Sequence, residues 1–115
     1  NRRELNMPHG HVRGLSQFYA DGLERMEIWI DKRHAAPLPY QNNTRIPITL
    51  KIGNEQYDAG LRTTPNISVV WISPDLRDNH GRKVSLARVI INNGFTKNQK
   101  IYLEVDGPVV SVLPF

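Results

Sequence analysis

Apolar and polar residues alternate in several short runs along this chain. Residues 26–31 place Met26, Ile28 and Ile30 on one side, and residues 46–52 repeat the pattern. A period of two residues is typical of a β-strand that has one face in a hydrophobic core. Turn-forming residues separate the runs, and a Gly-Asn pair favours a tight hairpin after the second of them. The strands predicted from these patterns span residues 26–31, 46–52, 56–61, 68–72, 100–105 and 109–113.

One run has the period of a helix. In residues 85–94, Leu86, Val89 and Ile90 recur at the spacing of one helix face. A serine suited to the N-cap precedes them, and a glycine suited to the helix end follows. Residues 15–19 fit either a short strand or one helical turn. Six or seven strands with one or two short helices predict a mainly β fold, either a small barrel or an open, curled sheet.

Two polar segments lie between predicted strands and predict loops. Residues 62–66, Arg-Thr-Thr-Pro-Asn, include a proline that cannot join a sheet ladder. Residues 32–43 contain two prolines and also connect two strands. Both segments combine arginine with hydroxyl or amide side chains, which can reach DNA base edges and phosphates. Residues 1–23 are predicted to be an irregular, basic N-terminal arm.

The aromatic residues follow the strand patterns rather than the loops. Trp71 lies in residues 68–72, whose β-branched and aromatic composition is typical of a strand packed on both faces, so its ring is predicted to lie in the core. The two polar loops contain a single aromatic residue, Tyr40. Proteins that bind single-stranded nucleic acid stack bases on exposed aromatic rings. This distribution therefore favours duplex binding over single-strand binding.

Charge is the feature of the composition that narrows the function. The 115 residues predict one domain, 1–115, with ordinary hydrophobic (39%) and charged (23%) fractions. Fifteen Lys and Arg against eleven Asp and Glu give a net charge of +4, with a pI near 9.7. Residues 32–54 hold four cations and no acid, and residues 77–103 hold six cations and one acid. A segregated positive field of this kind attracts polyanions such as nucleic acid.

Several kinds of site are missing from the sequence. Cysteine is absent, which excludes disulfides and thiolate zinc sites and favours an intracellular protein. No apolar run is long enough for a membrane span, and the N-terminus lacks the apolar core of a signal peptide. Pro74-Asp75 is not followed by the acid and lysine of metal-dependent nucleases, and no serine-nucleophile or glycine-rich phosphate motif is present. We therefore expect no catalytic residue and no cofactor. We also expect no metal site, because His9 and His11 alone are too few ligands.

The chain also begins without Met, so we expect it to be a piece of a longer protein.

Residues 27–105 resemble a known family. They contain a strand, a Gly-Asn turn and a strand leading into RTTPN and VVWISPDL, then the helical segment GRKVSLARVIINNGF and the strand TKNQKIYLEV. This order is similar to that of B3-like DNA-recognition domains of bacterial restriction endonucleases of the EcoRII, UbaLAI, NgoAVII and BfiI type, and more distantly of plant B3 transcription factors. The resemblance implies a seven-stranded open pseudobarrel with one or two short helices. Its N-arm would correspond to residues 32–43 and its C-arm to residues 62–66, and the two arms would grip the major groove.

The resemblance implies sequence-specific recognition of double-stranded DNA at a short site. The domain would be the target-recognition or effector domain of a cytoplasmic, bacterial restriction endonuclease, with the nuclease domain elsewhere in the same full-length chain. It would catalyse no reaction itself. The expected base-contacting residues are Arg33, His34, Gln41, Asn42, Arg62, Thr63, Thr64 and Asn66. The expected phosphate-contacting residues are Lys32, Arg45, Arg77, Arg82, Lys83 and Arg13.

Two other functions stay open on the sequence alone. A small β-barrel can be a protein-interaction module whose basic loops bind an acidic partner. A very small nuclease is a third hypothesis, which requires Mg²⁺-dependent cleavage by this segment alone. Duplex binding that survives moderate salt and prefers one sequence separates DNA recognition from the interaction module.

Overall fold

Nine strands and one α-helix form within residues 8–114, the part of the chain that the computed structural model describes. A 3₁₀ turn, Lys32–His34, follows the second strand, and the helix, α1, spans Leu86–Asn92. The strands are β1 His9–Phe18, β2 Glu24–Asp31, β3 Ile46–Ile52, β4 Glu55–Arg62, β5 Val69–Ile72, β6 Asp75–Arg77, β7 Lys83–Ser85, β8 Lys100–Asp106 and β9 Val109–Pro114.

Seven of these strands close into a barrel. Their order around the ring is β3, β9, β8, β1, β2, β5 and β4, and the pairing of β4 with β3 completes it. Neighbouring strands are antiparallel except β3 and β9, which run parallel. β6 and β7 form a hairpin that continues from β4 beside the ring. The predicted mainly β, seven-stranded barrel with a short helix is confirmed. The ring is closed rather than open, because β3 has partners on both sides.

Every second residue of the strands fills the interior of the barrel. Ile28 and Ile30 of β2 lie opposite Ile72 and Val70 of β5, and all four side chains are buried. Leu61 of β4 lies opposite Ile72 in turn and is also fully buried. Because side chains alternate across a strand, the residues between these point to the outer face of the sheet. The register therefore separates an aliphatic core from an outer face that carries charged and aromatic side chains, such as Glu27, Trp29 and Trp71.

Helix α1 packs against β2 and β7, with Leu86, Ala87, Val89 and Ile90 buried. The Ser85 hydroxyl accepts a hydrogen bond from the Arg88 backbone N–H at 3.2 Å, which satisfies one of the free donors at the helix start. Gly94 follows the helix with a φ of +84°, a conformation that glycine adopts without steric cost. The predicted helix and both of its end signals are confirmed.

Strand β1 corrects the prediction of an irregular N-terminal arm. His9–Phe18 is the longest described strand, and it pairs with β2 on one side and β8 on the other. Only Val12 among its central inward positions is a large apolar residue, and glycines occupy the positions two before and two after it. A side chain at Gly10 would begin 2.5 Å from the Trp29 carbonyl oxygen, so the close approach of β2 requires glycine there. Residues 1–7 of the predicted arm lie outside the described residues.

The prediction that the Trp71 ring lies in the core is wrong. Trp71 is half-buried, whereas its neighbours Val70 and Ile72 are fully buried. β5 is therefore packed on one face only, and its indole belongs to the outer face. The apolar composition of residues 69–72 concealed the alternation, because Val69 and Trp71 occupy the outward positions.

The two faces of β5 give a direct test of this arrangement. Ile72→Ala should lower the free energy of unfolding by about 2–5 kcal/mol, because it leaves a cavity in a closed core. Trp71→Ala should cost much less, on the order of 1 kcal/mol, because the ring already contacts solvent. Urea denaturation of both variants measures the difference. Equal losses would place the Trp71 ring in the core after all.

Candidate nucleic-acid interface

The strand register aligns five side chains across the outer face of the barrel. Lys100 of β8 lies opposite His11 of β1, and His11 lies opposite Trp29 of β2. Trp29 lies opposite Trp71 of β5, which lies opposite Arg62 at the end of β4. Directly opposed residues on one face of a sheet are in side-chain contact range. We call this line of residues 100, 11, 29, 71 and 62 the outer row. It combines aromatic rings with cationic ends.

Trp29 is held in the outer row by its neighbours. The Arg13 guanidinium lies 4.8 Å from the centroid of the Trp29 ring, within cation–π range. The indole Nε1–H donates a hydrogen bond to Glu27 Oε1 at 2.9 Å. The His11 ring meets the indole edge-on at a centroid distance of 6.2 Å. These contacts cover and orient Trp29, so it supports the row rather than offering a free face.

Two ionisable groups of this region have shifted pKa values. Burial raises the pKa of the Glu27 carboxyl above its ordinary value, against the opposing effect of the Trp29 hydrogen bond. Burial and the adjacent Arg13 cation lower the pKa of His11, which favours the neutral imidazole at pH 7. The positive charge beside Trp29 therefore comes from Arg13 rather than from His11.

A cleft of about 920 Å³ opens beside Trp71 and is lined by residues of β1 to β6, with Lys83 of β7. Its lining includes Trp71 of β5 and Ser73, which follows that strand, and Arg62 lies at its border with the outer row. Cations outnumber acids among the lining residues: five (Arg25, Arg45, Arg62, Arg77 and Lys83) against three (Glu27, Asp58 and Asp75). The cleft therefore carries a positive charge and one exposed aromatic surface.

The cations of the cleft differ in how they are held. Arg25 pairs with Asp75 at 3.4 Å, and Arg77 donates to the Gly81 carbonyl at 2.9 Å. Within residues 8–114, Arg45, Arg62 and Lys83 make no ion pair. Arg45 lies along β4 over Gly60, where a side chain would begin 2.4 Å from its Nε. The glycine thus makes room for an arginine at the cleft wall.

The two loops that were predicted as separate arms lie against each other. The Asn43 N–H donates to the Thr63 carbonyl at 2.9 Å, and Lys32 Nζ donates to the Thr64 carbonyl at 2.7 Å. The first loop is also anchored to the barrel by Ala35 and Leu38, which are buried. Residues 32–43 and 62–66, which the resemblance assigns to two arms, are therefore joined by hydrogen bonds. They form one continuous surface at an end of the barrel, which we call the end patch.

Thr63 is the predicted base-contacting residue that the structure rules out. Its side chain is 2% exposed, and its hydroxyl donates to the Val69 carbonyl at 2.8 Å. That hydrogen bond ties the end of β4 to the start of β5, so Thr63 is a structural residue. Thr64 is half-buried, and its carbonyl is used by Lys32. Lys32, predicted to hold a phosphate, is instead part of the connection between the two loops.

The other predicted base-contacting residues lie on the surface. Arg33 is 81% exposed along its side chain but forms two hydrogen bonds to the Asp31 carboxylate, at 3.1 and 2.9 Å. The His34 ring packs edge-on against His9 at 4.8 Å. The exposed residues without a close side-chain partner in the described part of the chain are Gln41, Asn42, Arg62 and Asn66.

The predicted phosphate-contacting residues divide between two places. Arg45, Arg77 and Lys83 line the cleft. Arg82 is exposed in the turn between β6 and β7, and Arg13 covers Trp29. Arg45 and Lys83 therefore line the cleft without an ion pair among the described residues, whereas Arg13 and Arg77 are held by other contacts.

Sequence reasoning missed the aromatic part of this site. The alternation of β2 was recognised, and Trp29 lies on the same side of that strand as the polar residues Glu27 and Asp31. That shared side could have predicted that Trp29 faces outward. Trp71 had no such signal, and His11 lies in a strand that was not predicted. Arg25 was not considered because its partner Asp75 lies 50 residues away along the chain.

Comparisons with protein-family models, curated proteins and solved structures find no match. The resemblance to B3-like domains therefore stays a prediction from the sequence. Among residues 8–114, His, Asp and Glu side chains form no group of three that could hold a metal ion. In the described part of the chain, no helix combines the length and the hydrophobicity needed to cross a membrane.

The Arg33–Asp31 pair provides a test of the end patch. Hydrogen bonds from the Arg33 side chain and backbone N–H lower the pKa of Asp31 from 3.8 to about 2. Since the folded-state pKa lies below the ordinary value, the stabilisation is present above pH 3.8 and is lost as the pH falls towards 2. In Arg33→Ala, NMR titration should find the Asp31 pKa raised part of the way towards 3.8, with Arg45→Ala as the unaffected control. An unchanged Asp31 pKa in Arg33→Ala would show that the pair does not form in solution.

Proposed function

We propose that this domain binds double-stranded DNA with a sequence preference, using its outer face, the cleft and the adjoining end patch. The observation that carries the proposal is the group of cations Arg45, Arg62 and Lys83, which line one cleft without an acidic partner among the described residues. Crowding like charges on one face disfavours the compact state unless a polyanion neutralises them. The phosphate backbone of DNA is the commonest such ligand, and binding releases its counterions.

Base contacts are assigned to the exposed groups that face away from the core. Arg62 projects from the end of β4 beside the cleft, and an arginine can pair with both acceptors of a guanine edge. Gln41, Asn42 and Asn66 of the end patch carry amides suited to adenine. Arg33 can contact a base only if its hydrogen bonds to the Asp31 carboxylate break. Its contribution to DNA affinity therefore depends on that exchange. Phosphate contacts are assigned to Arg45, Arg77, Arg82 and Lys83.

The wider role is proposed from the sequence resemblance. We assign the domain as the target-recognition or effector part of a restriction endonuclease whose nuclease domain lies elsewhere in the full-length chain. In this assignment it supplies binding and catalyses no reaction. Binding of an acidic protein partner is the competing function, because arginine and tryptophan are also the residues enriched at protein interfaces. A selection of bound sequences from a random duplex pool distinguishes the two, since only DNA recognition enriches a motif.

Arg62 is the residue that tests base recognition. Arg62→Ala should weaken binding to the selected duplex by about 1–3 kcal/mol and relax the preference at one or two base pairs. Lys51→Ala is the matched control, because it removes the same charge from a separate groove on the barrel. Fluorescence anisotropy with selected and random duplexes measures both effects. An equal loss on the two duplexes would show that Arg62 contacts phosphate only.

Lys83 tests the electrostatic contribution. Lys83→Ala should lower the affinity for all duplexes to a similar extent and reduce the slope of log affinity against log salt by about one, because one fewer phosphate is neutralised. Titrations at several salt concentrations measure the slope. A poly-glutamate peptide that competes as well as the selected duplex would favour the protein-interaction function instead.

A further inference from the structure

Trp71 differs from Trp29 in what covers its ring. Arg13 and His11 pack on Trp29, and Glu27 holds its indole nitrogen. Trp71 lines the cleft, and no such cation or ring contact covers it among the described residues. An indole that is fixed in a sheet and open to a polar cleft offers a flat apolar surface of the size of a nucleobase. Base stacking on aromatic side chains is sequence-tolerant and strengthens binding by roughly ten- to a hundredfold per base.

Among the described residues, two buried polar atoms without a hydrogen-bond partner belong to residues that line the same cleft as Trp71. In the described part of the chain, the buried side-chain atoms with no hydrogen-bond partner are Tyr19 Oη, Arg25 Nε and Ser73 Oγ. Arg25 and Ser73 both line the cleft, and Ser73 follows Trp71 by two residues, just beyond the end of β5. Buried polar groups without partners are few in native proteins, and each requires an explanation. A ligand with hydrogen-bonding groups on its edge provides one here.

One of these two residues, Arg25, forms a weak ion pair. The Arg25–Asp75 pair that adjoins them is long, at 3.4 Å, and its side chains are 33% and 60% exposed. Exposed ion pairs contribute little to stability, so this one can rearrange without unfolding the barrel. Glu27 also lines the cleft, and only one of its carboxyl oxygens is used by Trp29. The edge of a bound heterocycle would therefore meet a hydroxyl, a guanidinium and a carboxyl.

The volume of the cleft restricts the ligand. At about 920 Å³ it lies within the range of small-molecule sites, which is too small for a duplex to enter as a whole. Among the described residues that line it, Trp71 is the only aromatic one. A run of stacked bases would require several such rings. The arrangement thus suits one planar base, with Arg62, Arg45 and Lys83 near the attached phosphates.

From these observations, and resting on the proposed DNA binding, we propose that Trp71 receives one nucleobase that leaves the base stack of the bound duplex. Ser73, Arg25 and Glu27 surround the edge of that base, and the adjoining cations hold its backbone. Extruding a base from a duplex is unfavourable, least so for a base that is mismatched. The affinity should therefore increase where the duplex has already lost the corresponding pair.

A mismatch scan tests the proposal. Each position of the selected duplex is mismatched in turn, and binding is measured by fluorescence anisotropy. For the native protein, one position should bind roughly ten- to a hundredfold more tightly when mismatched than when paired. Trp71→Ala should abolish this gain, and Trp71→Phe should retain part of it because a smaller ring remains. Circular dichroism of the variants verifies that the barrel is folded.

Phe18→Ala is the matched control, because Phe18 is a 65% exposed aromatic residue in β1 that does not line the cleft. It should keep the full gain. Loss of the gain in Phe18→Ala but not in Trp71→Ala would overturn the assignment of Trp71. A selected duplex that binds with sequence preference but gains at no mismatched position would overturn the extruded base and leave the proposed function standing. Failure to bind any duplex would overturn both.

Discussion

The register of β2 between β1 and β5 is the constraint on which the rest of the molecule depends. It places Ile28 and Ile30 in the core and Trp29 on the outer face, opposite Trp71. A slip of one residue would exchange the two faces, burying the indole and exposing the isoleucines. The glycine at position 10 protects this register, since a larger residue would collide with the β2 backbone. Core and outer row are thus fixed by the same hydrogen bonds, and one cannot be shifted without the other.

Two departures from good packing meet on one face of the barrel. The interior is aliphatic and closed, whereas, within residues 8–114, the outer face contains cations without an ion pair around a cleft and buried polar atoms of Arg25 and Ser73 without a hydrogen-bond partner. Natural proteins violate such local rules mainly at functional sites. A ligand that carries negative charge and hydrogen-bonding edges would compensate for both departures at once. The combination of these features on one face, rather than any single residue, therefore supports a binding function.

The sequence predicted the elements whose patterns were explicit and missed those that depend on neighbours. β2, β3 and helix α1 followed from regular spacing and from end signals that the structure retains. β1 was missed because glycines occupy its inward positions where β2 comes close. That requirement arises from tertiary packing and leaves no hydrophobic alternation in the sequence. Thr63 was assigned to base contact because it lies in a polar loop that resembles the C-arm of B3-like domains. Thr63 is instead held in the interior by the hydrogen bond that its hydroxyl donates to the carbonyl of Val69, six residues away.

The groups that would contact DNA divide into a rigid set and an adjustable set. Trp71 and Arg62 project from paired strands, so their spacing is set by the sheet. Gln41 and Asn66 lie in loops, which Lys32 and Asn43 tie together through backbone carbonyls without fixing the amide side chains. Sites on strands are more precise than sites on loops. If DNA is the ligand, its position is set by the strand face and its sequence preference is tuned in the end patch. Substitutions in the end patch can then alter the preferred sequence without disturbing the β2 register that holds the barrel together.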